Sequence, residues 1–250
     1  VLGNAEVKTF GSDNQLKITT NYKVDIDSSD IDDEINNILY IDLIEFMPEN
    51  IAYEDFVVNG DENKQAGIMS SIKVGPTIAD DIKKNSFYAV FGSLIIVFLY
   101  ILLRFKNWQF SLGAVSAVFH DVLVVLGIFS LTYSFMPFNM EINQAFIAAV
   151  LTVIGYSLND TVVVFDRIRE YRNINTSWEL PRVVDSALNS TLSRTLNTSF
   201  TTLVVLISIF VFGGESIRGF MFALIVGVLI GTYSSVFVAT PVMYDTLKKK

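Results

Sequence analysis

The apolar positions of the chain change their rhythm near residue 80. From Ser86 onward they form five long runs, Ser86 to Leu103, Phe110 to Phe138, Ile142 to Val164, Thr195 to Gly214 and Gly219 to Tyr244, separated by short polar stretches. Each can cross a hydrocarbon layer of ~30 Å at about 1.5 Å per helical residue. Five transmembrane helices are predicted, at about 86–103, 110–133, 142–166, 195–214 and 219–244. Ahead of them the pattern is shorter. Glu6 to Val24 alternates, with Val7 and Phe10 before Gly11-Ser12-Asp13-Asn14 and Leu16, Ile18 and Tyr22 after it, which predicts a hairpin. Ser28 or Ser29 then caps a helix to about Tyr40. Its acids Asp30, Asp32, Asp33 and Glu34 suit the positive end of the helix dipole, and Ile31, Ile35, Ile38 and Leu39 share one face. Gln65 to Val74 predicts a further strand ending at Gly75-Pro76. The fold class expected is an α-helical integral membrane protein: a small N-terminal α+β domain over 1–79 and a transmembrane domain over 80–250.

Composition sharpens this division. Of 250 residues 51% are hydrophobic, and the mean hydropathy is +0.46, too apolar for an ordinary soluble domain. The net charge of −8 is unevenly spread, with residues 1–79 holding 15 Asp/Glu against 5 Lys/Arg and the remainder 11 against 13. An acidic first domain argues against nucleic acid, which needs clustered Lys and Arg. The absence of cysteine removes disulfide frameworks, thiolate nucleophiles and zinc clusters of the cysteine type. With neither an initiator Met nor a signal peptide at Val1, the chain is expected to be a piece of a longer polypeptide.

Loop charges predict orientation. Arg104 and Lys106 follow the first run, Arg167, Arg169, Arg172 and Arg182 the third, and Lys248 to Lys250 the fifth, whereas the alternate loops hold only Arg218. By the positive-inside rule the basic loops and the C-terminus are cytoplasmic, which puts the acidic domain on the outer face.

Charge inside the runs is rarer and more informative. A charged side chain at bilayer depth costs about 2.5 to 3.5 kcal/mol on insertion scales, so an acid there usually faces protein and has a role. Asp160 is the leading candidate. Thr152 and Tyr156 precede it at four-residue steps, predicting one polar helix face with Asn159 beside it. Arg194 opens a segment rich in hydroxyls and amides, including Thr195, Asn197, Thr198, Ser199, Thr201 and Thr202, which reads either as a wet path or as polar glue between helices. An Arg moving towards or away from Asp160 would unload or load a proton. His120-Asp121 in the second run reads as a proton relay or as an interhelical hydrogen bond, and adjacent helix positions point about 100° apart, so the two are not expected to share one partner.

In the fifth run Gly219, Ala223, Gly227, Gly231 and Ser235 recur every fourth residue, a face of small side chains that predicts close helix packing. The phosphate-binding loop, the dinucleotide fingerprint, the zinc-protease helix and the nucleophile elbow are all absent from the sequence, and Asp121 and Asp160 do not stand in intramembrane aspartyl protease motifs. No enzyme activity, cofactor or metal is expected.

The stretch Gly155-Tyr156-Ser157-Leu158-Asn159-Asp160-Thr161-Val162-Val163-Val164-Phe165-Asp166-Arg167-Ile168-Arg169-Glu170 resembles the signature of the SecF branch of the SecD/SecF protein-export family, within the RND superfamily. Val74-Gly75-Pro76, His120-Asp121, Leu192-Ser193-Arg194-Thr195 with Thr198-Ser199, Phe212-Gly213-Gly214 and Gly231-Thr232-Tyr233-Ser234-Ser235 before Pro241 extend the resemblance over residues 65–250, and less clearly over 1–64. It implies a bacterial inner-membrane subunit that uses the proton-motive force to promote late steps of protein export. The implied partners are SecD, separate or fused, the SecYEG translocon with YajC and YidC, exported preproteins and membrane lipids. It assigns Asp160 and Arg194 to proton coupling, with Asn159, Thr161 and Asp121 as supporting candidates; Asp121 is the further proton-coupling residue expected, and Tyr156, Thr198 and His120 are expected as supporting polar residues. The family has six spans per half, so the first is expected to be missing here. The rival readings are an RND exporter of lipids or small molecules and a non-transporting scaffold of the translocon.

Overall fold

The computed structural model describes residues 2, 5–10, 12–24, 26, 29–47, 51–57, 66–73, 76–138 and 140–248. The chain divides into two compact units, Val1–Lys8 with Leu16–Asn85, and Thr9–Gln15 with Ser86–Lys250.

Strands β1 (Glu6–Phe10) and β2 (Ser12–Thr19) pair in a two-stranded sheet. Of the turn expected over 11–14, Ser12 to Asn14 belong to β2 instead, and Gly11 lies outside the described residues. Helix α1 (Ser29–Leu43) runs three residues past the predicted end, buries Ile31 and leads into a 3-10 turn, Ile44–Phe46. Tyr22 Oη donates to Glu34 Oε1 at 2.8 Å, and Lys23 Nζ lies 2.6 Å from Oε2. These two donors hold the Glu34 carboxyl below its ordinary range. A short helix that the sequence pattern did not predict, α2 (Tyr53–Val57), buries Phe56 beside Tyr40.

The strand expected over Gln65 to Val74 does not form over its described residues, 66–73, where the chain is irregular; Gln65 and Val74, like Ser28 and Gly75, lie outside the described residues. Gly67 takes φ 131°, a conformation that breaks strand alternation. Ile68 N–H donates instead to the Phe56 carbonyl at 2.8 Å, and Lys73 Nζ to the Ile26 carbonyl at 2.9 Å.

Beyond these elements the chain is helical: α3 (Pro76–Phe105), α4 (Trp108–Thr132), α5 (Gln144–Ile174), α6 (Leu180–Phe212), α7 (Glu215–Ser234), a π-helical turn (Ser235–Ala239) and α8 (Thr240–Lys248). Among the described residues five segments are long and apolar enough to span a membrane, the fifth running from α7 through α8. The helices outrun the apolar stretches that predicted them. α5 continues through Asp166 to Ile174, since Arg and Glu propagate a helix well, and α6 starts at Leu180 with a proline in its first turn. Arg194 therefore sits deep inside α6 rather than at the start of a helix. The second run is shorter than its apolar stretch, because α4 ends at Thr132 in a turn.

α4, α5 and α7 form the centre of the bundle, while α3 and α6 bury little of their apolar surface. Two apolar clusters fill it. One gathers Phe129, Phe138, Phe146, Val153 and Leu224; the other gathers Phe105, Phe110, Phe165, Ile168 and Met243. Among the buried residues of α5 the first ends at Ile154 and the second begins at Val164; the polar residues Ser157, Asn159, Asp160 and Thr161 fall between, with Leu158 packed against both clusters.

Candidate functional site

This polar layer is assembled from α4, α5, α6 and α7, and it divides into two groups on different sides of α5. The contact between α5 and α7 brings the helices close. A Cβ at Gly227 would overlap the Val153 side chain, and one at Gly231 would stand 3.0 Å from Ser157 Cβ. Ala223 and Ser235 are fully buried in the same stripe, and Gly219 is buried at its start.

Asp121 anchors the first group and is completely buried. Its Oδ2 accepts from Ser157 Oγ at 2.6 Å and from Ser234 Oγ at 2.8 Å, so one carboxyl ties α4 to both α5 and α7. His120 Nδ1 lies 3.1 Å from Oδ1. The two neighbours do point apart, as the helical angle requires, because His120 is partly exposed near Tyr233; yet its ring turns back far enough to meet the acid. Thr161 joins Ser235 at 3.0 Å, and Ser235 Oγ also donates to the Ser157 carbonyl at 3.3 Å.

Asp160 anchors the second group, on the side of α5 that faces α6. It is 2% exposed. The Ser199 hydroxyl and the Arg194 charge both act on its carboxyl; Arg194 itself is exposed on α6, and no ion pair between it and Asp160 is seen among the described residues. Its Oδ2 has no hydrogen-bond partner. Ser199 Oγ lies 2.6 Å from Thr232 Oγ1 and 3.4 Å from Tyr156 Oη, which in turn lies 3.5 Å from Thr202 Oγ1. A buried acid with a free oxygen, a hydroxyl chain and a guanidinium nearby can gain or lose a proton without rebuilding its surroundings.

The single polar face expected on α5 does not form as one face. Tyr156 and Asp160 look to α6, but Thr152 is exposed and bonds the Ala148 carbonyl, Asn159 is exposed, and Thr161 turns to α7. Thr198 spends its hydroxyl on the carbonyls of Arg194 and Thr195. Ser157, Ser234 and Thr232 were not singled out by the sequence pattern, and only the packing of α7 on α5 reveals them.

The fifth span also carries a π-helical turn immediately after Ser234. Pro241 has no N–H to offer the Phe237 carbonyl, and Thr240 Oγ1 donates to the Ser235 carbonyl at 2.9 Å, so the winding is locally loosened. The Ala239 carbonyl thereby approaches α4 at Gly113, where a Cβ would come within 2.6 Å of it.

Comparison with known proteins bears on this arrangement. Residues 56–249 match the family model of the protein export membrane protein SecD/SecF, C-terminal. The protein translocase subunit SecF of Rhodothermus marinus is 56% identical over 181 residues, covering 72% of this chain and 58% of that protein. The SecDF subunit of Brucella abortus is 45% identical over 170 residues, covering 68% of this chain and 22% of its own. The crystal structure of SecDF from Thermus thermophilus, a translocon-associated membrane protein, superposes with a TM-score of 0.75 at 29% identity, covering 99% of this chain and 30% of that one. The chain thus spans little more than half the length of the SecF relative and a smaller share of the fused proteins.

Proposed function

This chain belongs to the SecD/SecF protein-export family, and from that premise we propose that it forms the SecF-type part of a proton-driven subunit of the Sec translocase. On this reading it is a transport subunit rather than an enzyme. It works in the bacterial inner membrane beside a SecD half, serving exported preproteins at the SecYEG translocon with YajC and YidC. The SecDF relatives, in which both halves share one chain, support SecD as partner. The basic ends of the spans support a cytoplasmic C-terminus and an outer-face N-terminal domain.

The observation that carries the proposal is Asp160, buried in the bundle with its Oδ2 lacking a hydrogen-bond partner, while the charge of Arg194, exposed on α6, acts on it. Moving one charge across 100 mV is worth about 2.3 kcal/mol, enough to bias two arrangements of a bundle by roughly fiftyfold. Proton uptake at Asp160 would change how strongly α5 holds Arg194 on α6, and a shift of α6 would carry that change out of the membrane.

Asp160→Asn keeps size and hydrogen bonding while fixing the group as neutral. In membrane vesicles carrying the intact protein and its partners, it is expected to accumulate normally and to lose the stimulation of export by a proton gradient. Arg194→Lys, which keeps charge but loses the planar fork, should retain part of it. Gradient-stimulated export at the wild-type rate in Asp160→Asn would end the coupling role and favour a scaffold.

A further inference from the structure

The hydroxyls of α6 are not equivalent. Thr191, Thr198, Thr201 and Thr202 each donate to a carbonyl three or four residues back in their own helix, which is how a threonine in an apolar helix ordinarily satisfies itself. Ser199 is engaged with Thr232 and Tyr156. Thr195 differs: it is 2% exposed, yet its Oγ1 has no hydrogen-bond partner. Leaving a buried hydroxyl unpaired costs roughly 1–3 kcal/mol, so its departure from the habit of its neighbours requires a reason.

Its position supplies one. α5 and α6 are antiparallel neighbours joined through residues 175–179, and Thr191, Thr195 and Ser199 lie at four-residue steps on the buried side of α6. Ser199 meets Tyr156 of α5 at 3.4 Å and acts on Asp160, and Thr195, four residues earlier, is about 6 Å closer to the α5–α6 connection along α6. Asp160 therefore has Ser199 with Tyr156, Thr202 and Thr232 in one direction, and Thr195 as the next polar side chain on the buried side of α6 in the other. Past Thr195 that buried face continues with Thr191, whose hydroxyl is committed to its own backbone, and Ala187.

We propose that Thr195 is the polar step through which protons pass between Asp160 and the end of the bundle that carries the α5–α6 connection. A hydroxyl both donates and accepts, so it takes one proton from water on the connection side and releases one towards the acid, ending as it began. The inference rests on the proton-coupling reading of Asp160 and adds a direction to it.

Because the chain contains no cysteine, access can be measured separately from transport. Thr195→Cys is expected to react with a small hydrophilic thiol reagent supplied from the α5–α6 side. Ala187→Cys, equally buried on the same face, should stay unreactive. In vesicles whose two compartments are held at different pH, Thr195→Val should reduce the dependence of export on the α5–α6 side pH several-fold, leave the dependence on the opposite side in place, and be restored by Thr195→Ser. An unreactive Cys at position 195, wild-type pH behaviour in Thr195→Val, or failure of Thr195→Ser to restore it would each overturn the role of Thr195. If Asp160→Asn alone kept full gradient-driven export, the underlying reading would fall instead, and with it the proton step, even were position 195 accessible.

Discussion

Asp121 and Asp160 are both acids in apolar helices, but their surroundings give them different work. Every oxygen of Asp121 is occupied, by Ser157, Ser234 and His120, so its carboxyl acts as a knot between three helices. Asp160 keeps one oxygen free and faces the helix that carries Arg194. Removing the knot strands the Ser157 hydroxyl completely and leaves Ser234 only its 3.2 Å bond to the Gly231 carbonyl. Asp121→Ala should therefore lower stability by about 1–3 kcal/mol, the cost of the one buried hydroxyl left wholly unpaired. Asp121→Asn, which keeps one acceptor, should lose less. Thermal unfolding of the detergent-solubilised protein checks the order, and equal losses in the two variants would show that the hydrogen bonds are not what Asp121 contributes.

Among the helices, α7 is the one whose spacing most constrains its neighbours. Its small residues let the backbone approach α5 until Gly227 meets Val153 and Gly231 meets Ser157. An added methyl at 227 has nowhere to go, since the atoms it meets belong to a β-branched side chain with few rotamers on a packed helix. Gly227→Ala is expected to cost about 1–3 kcal/mol, an overpacking penalty. Gly127→Ala on α4, where a Cβ meets nothing within 4 Å, should be neutral or slightly stabilising by helix propensity. Comparing the melting temperatures of the two variants separates packing from propensity, and a Gly227→Ala protein as stable as Gly127→Ala would refute the close contact.

At the scale of the whole molecule, the proposed topology predicts which side of the membrane each end occupies. On the proposed topology, which follows the positive-inside rule, the β1–β2 hairpin lies outside and the α5–α6 connection inside. Asn14, in β2, and Asn173, at the end of α5, are both exposed. In intact spheroplasts a membrane-impermeant thiol reagent should label Asn14→Cys and spare Asn173→Cys; the reverse pattern would invert the topology and the direction assigned to the Thr195 step. Much of the architecture was legible beforehand, because a run of some twenty apolar residues admits only a helix in lipid, and an acid within such a run stands out against its cost. The hairpin was equally visible in alternation, and α1 in the helical spacing of its apolar residues. The strand expected over 65–74 was not realised over its described residues, since a short apolar alternation becomes a strand only if a partner edge is there to pair with it. Helix ends moved for a related reason: hydropathy marks where lipid would be tolerated, whereas the helix continues for as long as backbone hydrogen bonds can propagate. Periodicity put Thr152, Tyr156 and Asp160 on one stripe, but only the packing of α6 and α7 decided that Tyr156 and Asp160 share a neighbour, that Thr152 and Asn159 face outward, and that Ser157 and Ser234 close on Asp121. The sequence by itself determined which residues are costly to bury; tertiary structure decided which of them are satisfied and which are left free to react, because hydrogen-bond partners drawn from other helices have no fixed spacing along the chain.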